Sequence, residues 1–339
     1  MQLHLVVPGL LLPAQVLHDC ACDLDLPALG RLLGRGPRRW SPPLPLEDWL
    51  CREFGLATAP VAPLRLLGEG GDPGDQAWIC ADPAHLAFEQ GRPILGESEL
   101  EVDDAEMQAL LAALRPRLAA LPGFRDWRAG VPGSGLAYLS LAQLPGLITP
   151  PPSATRGGSA HLALPQGPQA REWTRLGNEL QMLLHALPAN RQREAARKPS
   201  INTLWFWGEG RLPEAAKAAP YAAIHADSEL LKGLAHWSGA RHAALPGTAR
   251  ELGGDSAQLV CLEQLAAPAR SLDALAWREA LLGLERDWFA PLAAAFFSGR
   301  LATLRLTALG MEAGFDLHLG TAERFRFWRK AQDLATLAP

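Results

Sequence analysis

Short apolar runs alternate with segments of helical periodicity along most of the chain. Residues 3–7 have the apolar pattern of a buried parallel strand, and residues 171–187 carry leucines at helical spacing. The same patterns predict further strands at 77–80, 136–141, 201–207, 221–226, 257–262, 302–308 and 315–319, and helices at 24–33, 47–54, 103–114, 228–238 and 273–297. Because strands that alternate with helices form sheets covered on both faces, we predict an α/β protein with a mainly parallel sheet.

The middle of the chain has a different pattern. A turn at Asp82 and Pro83, a hairpin over residues 86–95 and a Pro- and Gly-rich stretch at 145–159 predict a smaller layer that ends in a linker or an exposed loop. We therefore predict an α/β core formed by residues 1–71 and 166–339, with an inserted α+β domain, including its linker, at residues 72–165.

Composition and charge exclude several classes of protein. With 339 residues, 48% hydrophobic and 20% charged, the chain can bury a large core. Its 32 Lys and Arg and 36 Asp and Glu give a net charge of -4, so no basic excess favours a nucleic-acid partner. No apolar run reaches the ~18 residues of a membrane span, so we expect no membrane partner. Five scattered cysteines favour reduced thiols and a cytoplasmic location.

Polar side chains follow one face of the helix predicted at 171–187. Advancing about 100° per residue places five leucines on the opposite face, at positions 176, 180, 183, 184 and 187. Asn178, Gln181 and His185 carry the polar face. Neutral groups of this kind can bind a polar ligand. A mildly polar, solvated face is the alternative interpretation.

A second group of candidate ligand-binding residues lies just downstream of that helix. Asn190 and Arg193 precede the strand predicted at 201–207, in which Asn202 and Trp207 lie, and Glu209 and Arg211 follow it. Ligands of open α/β sheets bind at the carboxyl ends of strands, where glycines such as those at 208 and 210 let the backbone approach. The alternative is that the indoles only pack beneath the covering helices. A third glycine is missing, which argues against a dinucleotide cofactor.

Asp82 and His85 combine a carboxylate and an imidazole three positions apart. Such a pair can supply half a metal site or a general acid and base. The alternative is a capped turn without chemistry. The chain lacks a Gly-x-Ser-x-Gly elbow, a phosphate-binding Walker loop and a His-Glu-x-x-His motif.

The segment 187–213 resembles the archaeal-type cofactor-independent phosphoglycerate mutases, which belong to the alkaline phosphatase superfamily. It contains Leu-Pro-Ala-Asn and then Asn-Thr-Leu-Trp-Phe-Trp-Gly-Glu-Gly-Arg-Leu-Pro, close to the His-Pro-Val-Asn and Asn-x-x-Trp-x-Trp-Gly-x-Gly-x-x-Pro motifs of that family. Residues 81–86, 178–185 and 326–329 resemble a related bacterial group, the RpfE-type regulatory proteins. The resemblance implies a three-layer, alkaline-phosphatase-like core and, from the second group, a regulatory role.

The positions that would hold metal in this superfamily carry other residues here. Superfamily members bind two divalent cations through an Asp after the first strand, a Ser or Thr nucleophile, and later Asp and His clusters. Here the first strand ends Val6-Val7-Pro8-Gly9, and Ser41 lies in a Pro-rich loop. Residues 259–266 offer only Glu263, and residues 304–310 offer no ligand. We therefore expect no metal and no cofactor.

The sequence leaves three hypotheses open. The first is a non-catalytic, metal-free mutase relative with a regulatory or ligand-binding role, whose partner is a small polar ligand or a protein. The second is a phosphoryl-transfer or hydrolase enzyme with a repurposed site at Asp82, His85 and His185. The third is a scaffold that uses a surface rich in tryptophan, of which the chain has 11, to dock a partner.

Overall fold

The computed structural model describes residues 1–89, 92–96, 100–155, 164–214, 219–254 and 256–337, except for the side chains of residues 88, 89 and 92. The chain divides into two compact units. Unit 1 contains Met1–Trp49 and Ala216–Pro339, and unit 2 contains Leu50–Ala215.

Unit 1 is built on a seven-stranded sheet in the order β10-β9-β11-β1-β12-β13-β2. The strands are β1 (Gln2–Leu11), β2 (Arg38–Ser41), β9 (Ala223–His225), β10 (Arg241–Ala243), β11 (Ala257–Cys261), β12 (Thr303–Gly310) and β13 (Gly314–Leu319). The first five in spatial order are parallel, and β13 is antiparallel to both of its neighbours. A mainly parallel α/β sheet is thus confirmed.

The helices of unit 1 are α1 (Ala14–Ala21), α2 (Pro27–Arg35), α9 (Glu229–Ser238), α10 (Ala266–Ser271), α11 (Ala274–Leu284), α12 (Ala290–Phe297) and α13 (Thr321–Arg324); α3 (Leu46–Glu53) spans the boundary of the units. Leu3, Leu5 and Val7 of β1 lie in a core shared with α1, α2, α11 and α12. His4 faces the other side of the sheet, where its ring meets Trp49 edge to face with centroids 5.3 Å apart. The alternation along β1 therefore separates an apolar face from one that carries polar groups.

The long helix predicted at 273–297 is interrupted. A π-helical turn at Glu285–Phe289 separates α11 from α12. Pro291 has no N–H to donate to a preceding carbonyl, so the regular α-helical pattern of hydrogen bonds cannot continue through it. The turn places Glu285 where its buried carboxylate accepts hydrogen bonds from the N–H groups of Ala28 and Leu29 (2.6 and 3.1 Å), at the start of α2.

Unit 2 has a four-stranded sheet in the order β6-β7-β3-β8, in which every neighbouring pair is antiparallel. Its elements are α4 (Val61–Gly68), β3 (Ala77–Ala84), the hairpin β4 (Leu86–Glu89) and β5 (Arg92–Leu95), α5 (Asp104–Ala119), β6 (Phe124–Ala129), β7 (Ala137–Leu141), α6 (Pro152–Thr155), α7 (Ala170–His185), α8 (Pro188–Ala195) and β8 (Thr203–Gly210). Unit 2 is thus a smaller α+β unit inserted in the chain, and Asp103 begins α5 with a capping box.

The boundaries of the inserted unit differ from the predicted 72–165. The strand β8 pairs with β3 from Thr203 to Gly210, which brings residues up to 215 into the unit. Within the described part of the stretch predicted as a linker or exposed loop, Leu147 is buried, Ile148 is exposed and α6 follows. Residues 156–159 of that stretch lie outside the described residues. Among the described residues, no helix is both long and apolar enough to cross a bilayer.

The predicted turn at Asp82 and Pro83 is also wrong, because both residues lie within β3. They pair with Trp205 and Leu204 of β8. The other neighbour, β7, pairs only with residues 77–80 of β3, so one side of the strand is open at Pro83. A proline is tolerated there because no ladder donor is required on the open side.

Candidate functional site

A cavity of about 250 Å³ lies in unit 2 along the outer edge of β8, beside α7. Its described lining comprises Leu86, Pro93, Thr149, Leu164, Pro165, Trp173, Thr174, Gly177, Asn178, Gln181 and residues 203–206. Trp205 and Phe206 are consecutive and point to opposite faces of the sheet, yet both line the cavity. The cavity therefore wraps around the strand edge, where β8 has no further partner in the described sheet.

Aromatic rings form much of the wall. Trp173 and Phe206 meet edge to face with centroids 4.9 Å apart, which fixes both rings. The indole N–H of Trp205 donates to the carbonyl of Pro150 (3.0 Å), so its ring is also held in place. These contacts make the wall rigid before any ligand arrives.

The polar groups of the described lining are all neutral. Thr174, Asn178 and Gln181 follow one face of α7, and Gln181 Nε2 lies 3.5 Å from Thr203 Oγ1. Thr149 Oγ1 is buried and has no hydrogen-bond partner among the described residues. A buried hydroxyl without a partner is costly to the fold, and this oxygen has almost no exposed surface through which a molecule in the cavity could contact it. Two of the predicted site residues, Asn178 and Gln181, are thus brought together.

On the other face of the same sheet, Asp82 belongs to a buried ion-pair cluster. Arg65 of α4 donates two hydrogen bonds to its carboxylate (2.9 and 3.0 Å), and the Trp207 indole donates a third (2.7 Å). Burial alone would lower the pKa of Arg65, but Asp82 and Cys80 raise it well above its usual range. Burial has the opposite effect on the Cys80 thiol and raises its pKa, while the positive charge of Arg65 opposes the rise. These hydrogen bonds fix the positions of the Asp82 and Trp207 side chains, so both residues have a structural role.

Asp82 and His185 do not share a site. Ile79 and Ala81 of β3 pack in one core with Leu180 and Leu184 of α7, so Asp82 faces away from that helix. His185 is exposed at the end of α7. The structure therefore separates two of the three groups that a repurposed acid-base site would need.

Four other residues that were predicted to bind a ligand make hydrogen bonds with backbone groups of unit 2. His85 Nδ1 lies 2.9 Å from the Ser200 carbonyl, and the Asn202 amide makes two hydrogen bonds with the backbone of Leu86 (2.7 and 2.9 Å). The Asn190 amide joins the Leu184 carbonyl to both backbone groups of Ile201 (2.7–2.9 Å). Arg193 donates to the Pro199 and Glu101 carbonyls and to the Glu106 carboxylate (2.6–2.9 Å). These side chains join segments of unit 2.

Close packing against α4 explains why glycine occupies positions 208 and 210. A side chain on Gly208 would meet Val61 at 2.8 Å, and one on Gly210 would meet Pro60 at 2.4 Å, where α4 begins. The two residues lie in an antiparallel strand, so the prediction of a ligand at the carboxyl end of a parallel strand is wrong for this segment. Arg211 donates to the carbonyls of Asp75 and Ala142. Burial raises the pKa of Glu209, and the N–H groups of Leu147 and Gly146 oppose the rise.

The sequence interpretation missed three polar residues of the cavity and one of the buried cluster. Thr174 lies four residues before Asn178, so extending the polar face of α7 by one turn would have found it. Thr203 and Thr149 gave no periodic signal, and Arg65 lies in a mostly apolar helix.

In unit 1, residues 6–13, which include the carboxyl end of β1, carry no acidic side chain. Gly9 has a positive φ of 79°, and a side chain there would strike the Leu265 carbonyl at 2.4 Å. Among the residues that the structure describes, no group of three or more His, Cys, Asp or Glu side chains could hold a metal ion.

Comparison with known proteins gives a likeness to solved structures only. No protein-family profile and no curated protein matches the chain. The cofactor-independent phosphoglycerate mutase of Thermoplasma acidophilum DSM 1728 is 17% identical, with a TM-score of 0.47, over 94% of this chain and 89% of that chain. The PH0037 protein of Pyrococcus horikoshii is 15% identical, with a TM-score of 0.56, over 98% of this chain and 91% of that chain. The likeness is one of fold. The RpfE-type assignment has no match to support it and stays a prediction.

Proposed function

We propose that this protein is a metal-free, non-catalytic relative of the cofactor-independent phosphoglycerate mutases that binds a small polar ligand. The resemblance in residues 187–213 supports the relationship. The observation that carries the binding role is the cavity along β8, because its described polar groups are neutral and its aromatic walls are fixed. General acid-base catalysis requires a group that titrates, and the described lining has none. Such a cavity is suited to binding without chemistry.

The ligand class follows from the same lining. The amide groups of Asn178 and Gln181 can bond a neutral polar edge, while Trp173 and Phe206 contact a flat apolar ring. The described lining offers no cation to pair with an anion, and an unpaired charge is costly in a partly closed site. We therefore propose a small, neutral, ring-containing ligand.

We further propose that binding serves a regulatory role, as the RpfE-type resemblance implies. The five free cysteines support a reducing, cytoplasmic setting.

Ligand titration with benzamide, benzoate and phenyl phosphate, followed by NMR, tests the binding role. We expect benzamide to bind and the two anions not to bind. A side chain added at Gly177 meets no atom within 4 Å, so Gly177→Leu should fill the cavity and abolish binding, while Gly177→Ala should keep it. Preference for phenyl phosphate, or equal binding by both variants, would refute the assignment.

The non-catalytic part has its own test. Purified protein should not hydrolyse p-nitrophenyl phosphate faster when Mn²⁺ or Mg²⁺ is added, because no ligand cluster for a two-metal site is found among the described residues. Stoichiometric metal in the purified protein, or metal-dependent hydrolysis, would contradict the non-catalytic assignment. The benzamide titration would still test the cavity assignment separately.

A further inference from the structure

Residues 324–330, the aromatic-basic turn, expose three large rings on unit 1. Phe325, Phe327 and Trp328 are 63%, 81% and 68% exposed. Nine of the other ten tryptophans are buried, and Trp40 is half-buried. Exposed rings that lie side by side mark an interaction site more often than scattered ones do.

The backbone of this turn is anchored, so the exposure of its rings does not come from a loose tail. Arg35 of α2 donates to the Arg326 carbonyl, and the N–H of Gln332 donates to the Gly30 carbonyl (2.9 Å). A side chain on Gly34 would lie 2.1 Å from the Lys330 carbonyl oxygen, so α2 approaches the turn as closely as a glycine allows. A pre-ordered segment loses less conformational entropy on binding than a flexible one.

The charge around the rings is positive although the chain as a whole is negative. The turn carries Arg324, Arg326, Arg329 and Lys330 and no acidic residue. Glu323, which pairs with Arg326 (3.0 Å), and Asp333 are the flanking acids. Arg31 of α2, which is exposed and lies 4.4 Å from the Phe297 ring, adds one further cation at the surface, whereas Arg35 is buried against the turn. The surface therefore suits an anionic partner.

We propose that the aromatic-basic turn docks on an anionic membrane surface. Phe and Trp rings favour the membrane interface, and neighbouring Lys and Arg side chains contact anionic headgroups. A bilayer accepts protruding rings without a concave complement, which suits side chains that are up to 81% exposed. The rings of Phe327 and Trp328 are inclined by 81°, so they offer no pair of parallel faces to successive bases of single-stranded nucleic acid. This proposal departs from the sequence-based expectation of no membrane partner, which rests on the lack of a membrane span and does not bear on peripheral contact.

Sedimentation with lipid vesicles tests the proposal on the full chain. We expect binding to vesicles of phosphatidylcholine mixed with phosphatidylglycerol, little binding to phosphatidylcholine alone, and loss of binding as salt is added. Replacing Arg329 and Lys330 by Gln should weaken binding roughly 25-fold, at about five-fold for each cation. Phe327→Ser with Trp328→Ser should abolish it.

Leu275→Ser is the matched control, because Leu275 is 81% exposed on α11 and lies outside the turn. It should bind vesicles as the unchanged protein does. The proposal is overturned if the mixed vesicles do not bind the protein, if the turn variants bind like the control, or if oligothymidine binds in place of vesicles and the same variants abolish that binding.

Discussion

The two sides of β8 in unit 2 use polar residues in opposite ways. In the Arg65–Asp82–Trp207 cluster, ionised groups are buried and satisfy one another within 3.0 Å. In the cavity at the strand edge, the polar groups of the described lining are neutral, such as the amides of Asn178 and Gln181. The difference shows that the charged residues that suggest chemistry in the sequence stabilise the fold, while uncharged residues remain available to a ligand.

The largest effect is expected from breaking the buried pair. Asp82→Ala leaves Arg65 buried and unpaired, so we expect a loss of about 3–5 kcal/mol in the free energy of unfolding, measured in urea. Replacing both residues together, Arg65→Met with Asp82→Leu, should restore most of it, because no unpaired charge remains.

Asp126→Ala is the control in the same sheet. Asp126 pairs with Arg128 at 3.6 Å, and both side chains are 39% exposed, so the loss should be below about 1 kcal/mol. Equal losses for Asp82→Ala and Asp126→Ala would mean that the buried cluster does not have the structural role described above.

This contrast also explains what the sequence could predict. Local signals located β1, the capped start of α5, and α9 with its N-cap at Ser228 and left-handed Gly239. Sheet membership is non-local, so the apolar pattern of β8 could not show that it pairs with β3 in a second, antiparallel sheet. Likewise, Gly208 has the same sequence signature whether a ligand or, as here, Val61 approaches its backbone. The candidate site was recovered only where helical periodicity reports a shared face, at Asn178 and Gln181.

A second buried polar cluster, around His4 in unit 1, should make stability depend on pH. The His4 ring bonds Tyr221 Oη (2.6 Å) and Thr307 Oγ1 (2.7 Å), and Thr307 donates to Asp316. Burial, with a smaller effect of Arg305, lowers the pKa of His4 to about 2. In the unfolded chain the same imidazole takes up a proton near pH 6.5, so its contribution to stability is lost as the pH falls below that value.

Between pH 7.5 and 5.5 this loss amounts to about 1.4 kcal/mol. Urea unfolding at the two pH values measures it, and the difference between the unchanged protein and His4→Asn isolates the His4 contribution from those of buried carboxyls such as Glu285. If both proteins lose the same stability on acidification, His4 is not held neutral in the fold.

A substitution in the cavity should have the smallest effect on the free energy of unfolding. Its effect on ligand binding then distinguishes the two sides of β8. Gln181→Ala removes an amide whose one described contact, to Thr203, is long at 3.5 Å, so unfolding should change by less than about 0.5 kcal/mol. The same change removes one hydrogen bond to a bound neutral ligand, so benzamide should bind about five-fold more weakly, equivalent to about 1 kcal/mol. Asp82→Asn, on the other side of the strand, should do the reverse, lowering stability while leaving the affinity of the folded protein for benzamide unchanged. If Gln181→Ala destabilises the fold as much as Asp82→Asn, both sides of β8 serve the fold alone, and the cavity is a packing defect without a ligand.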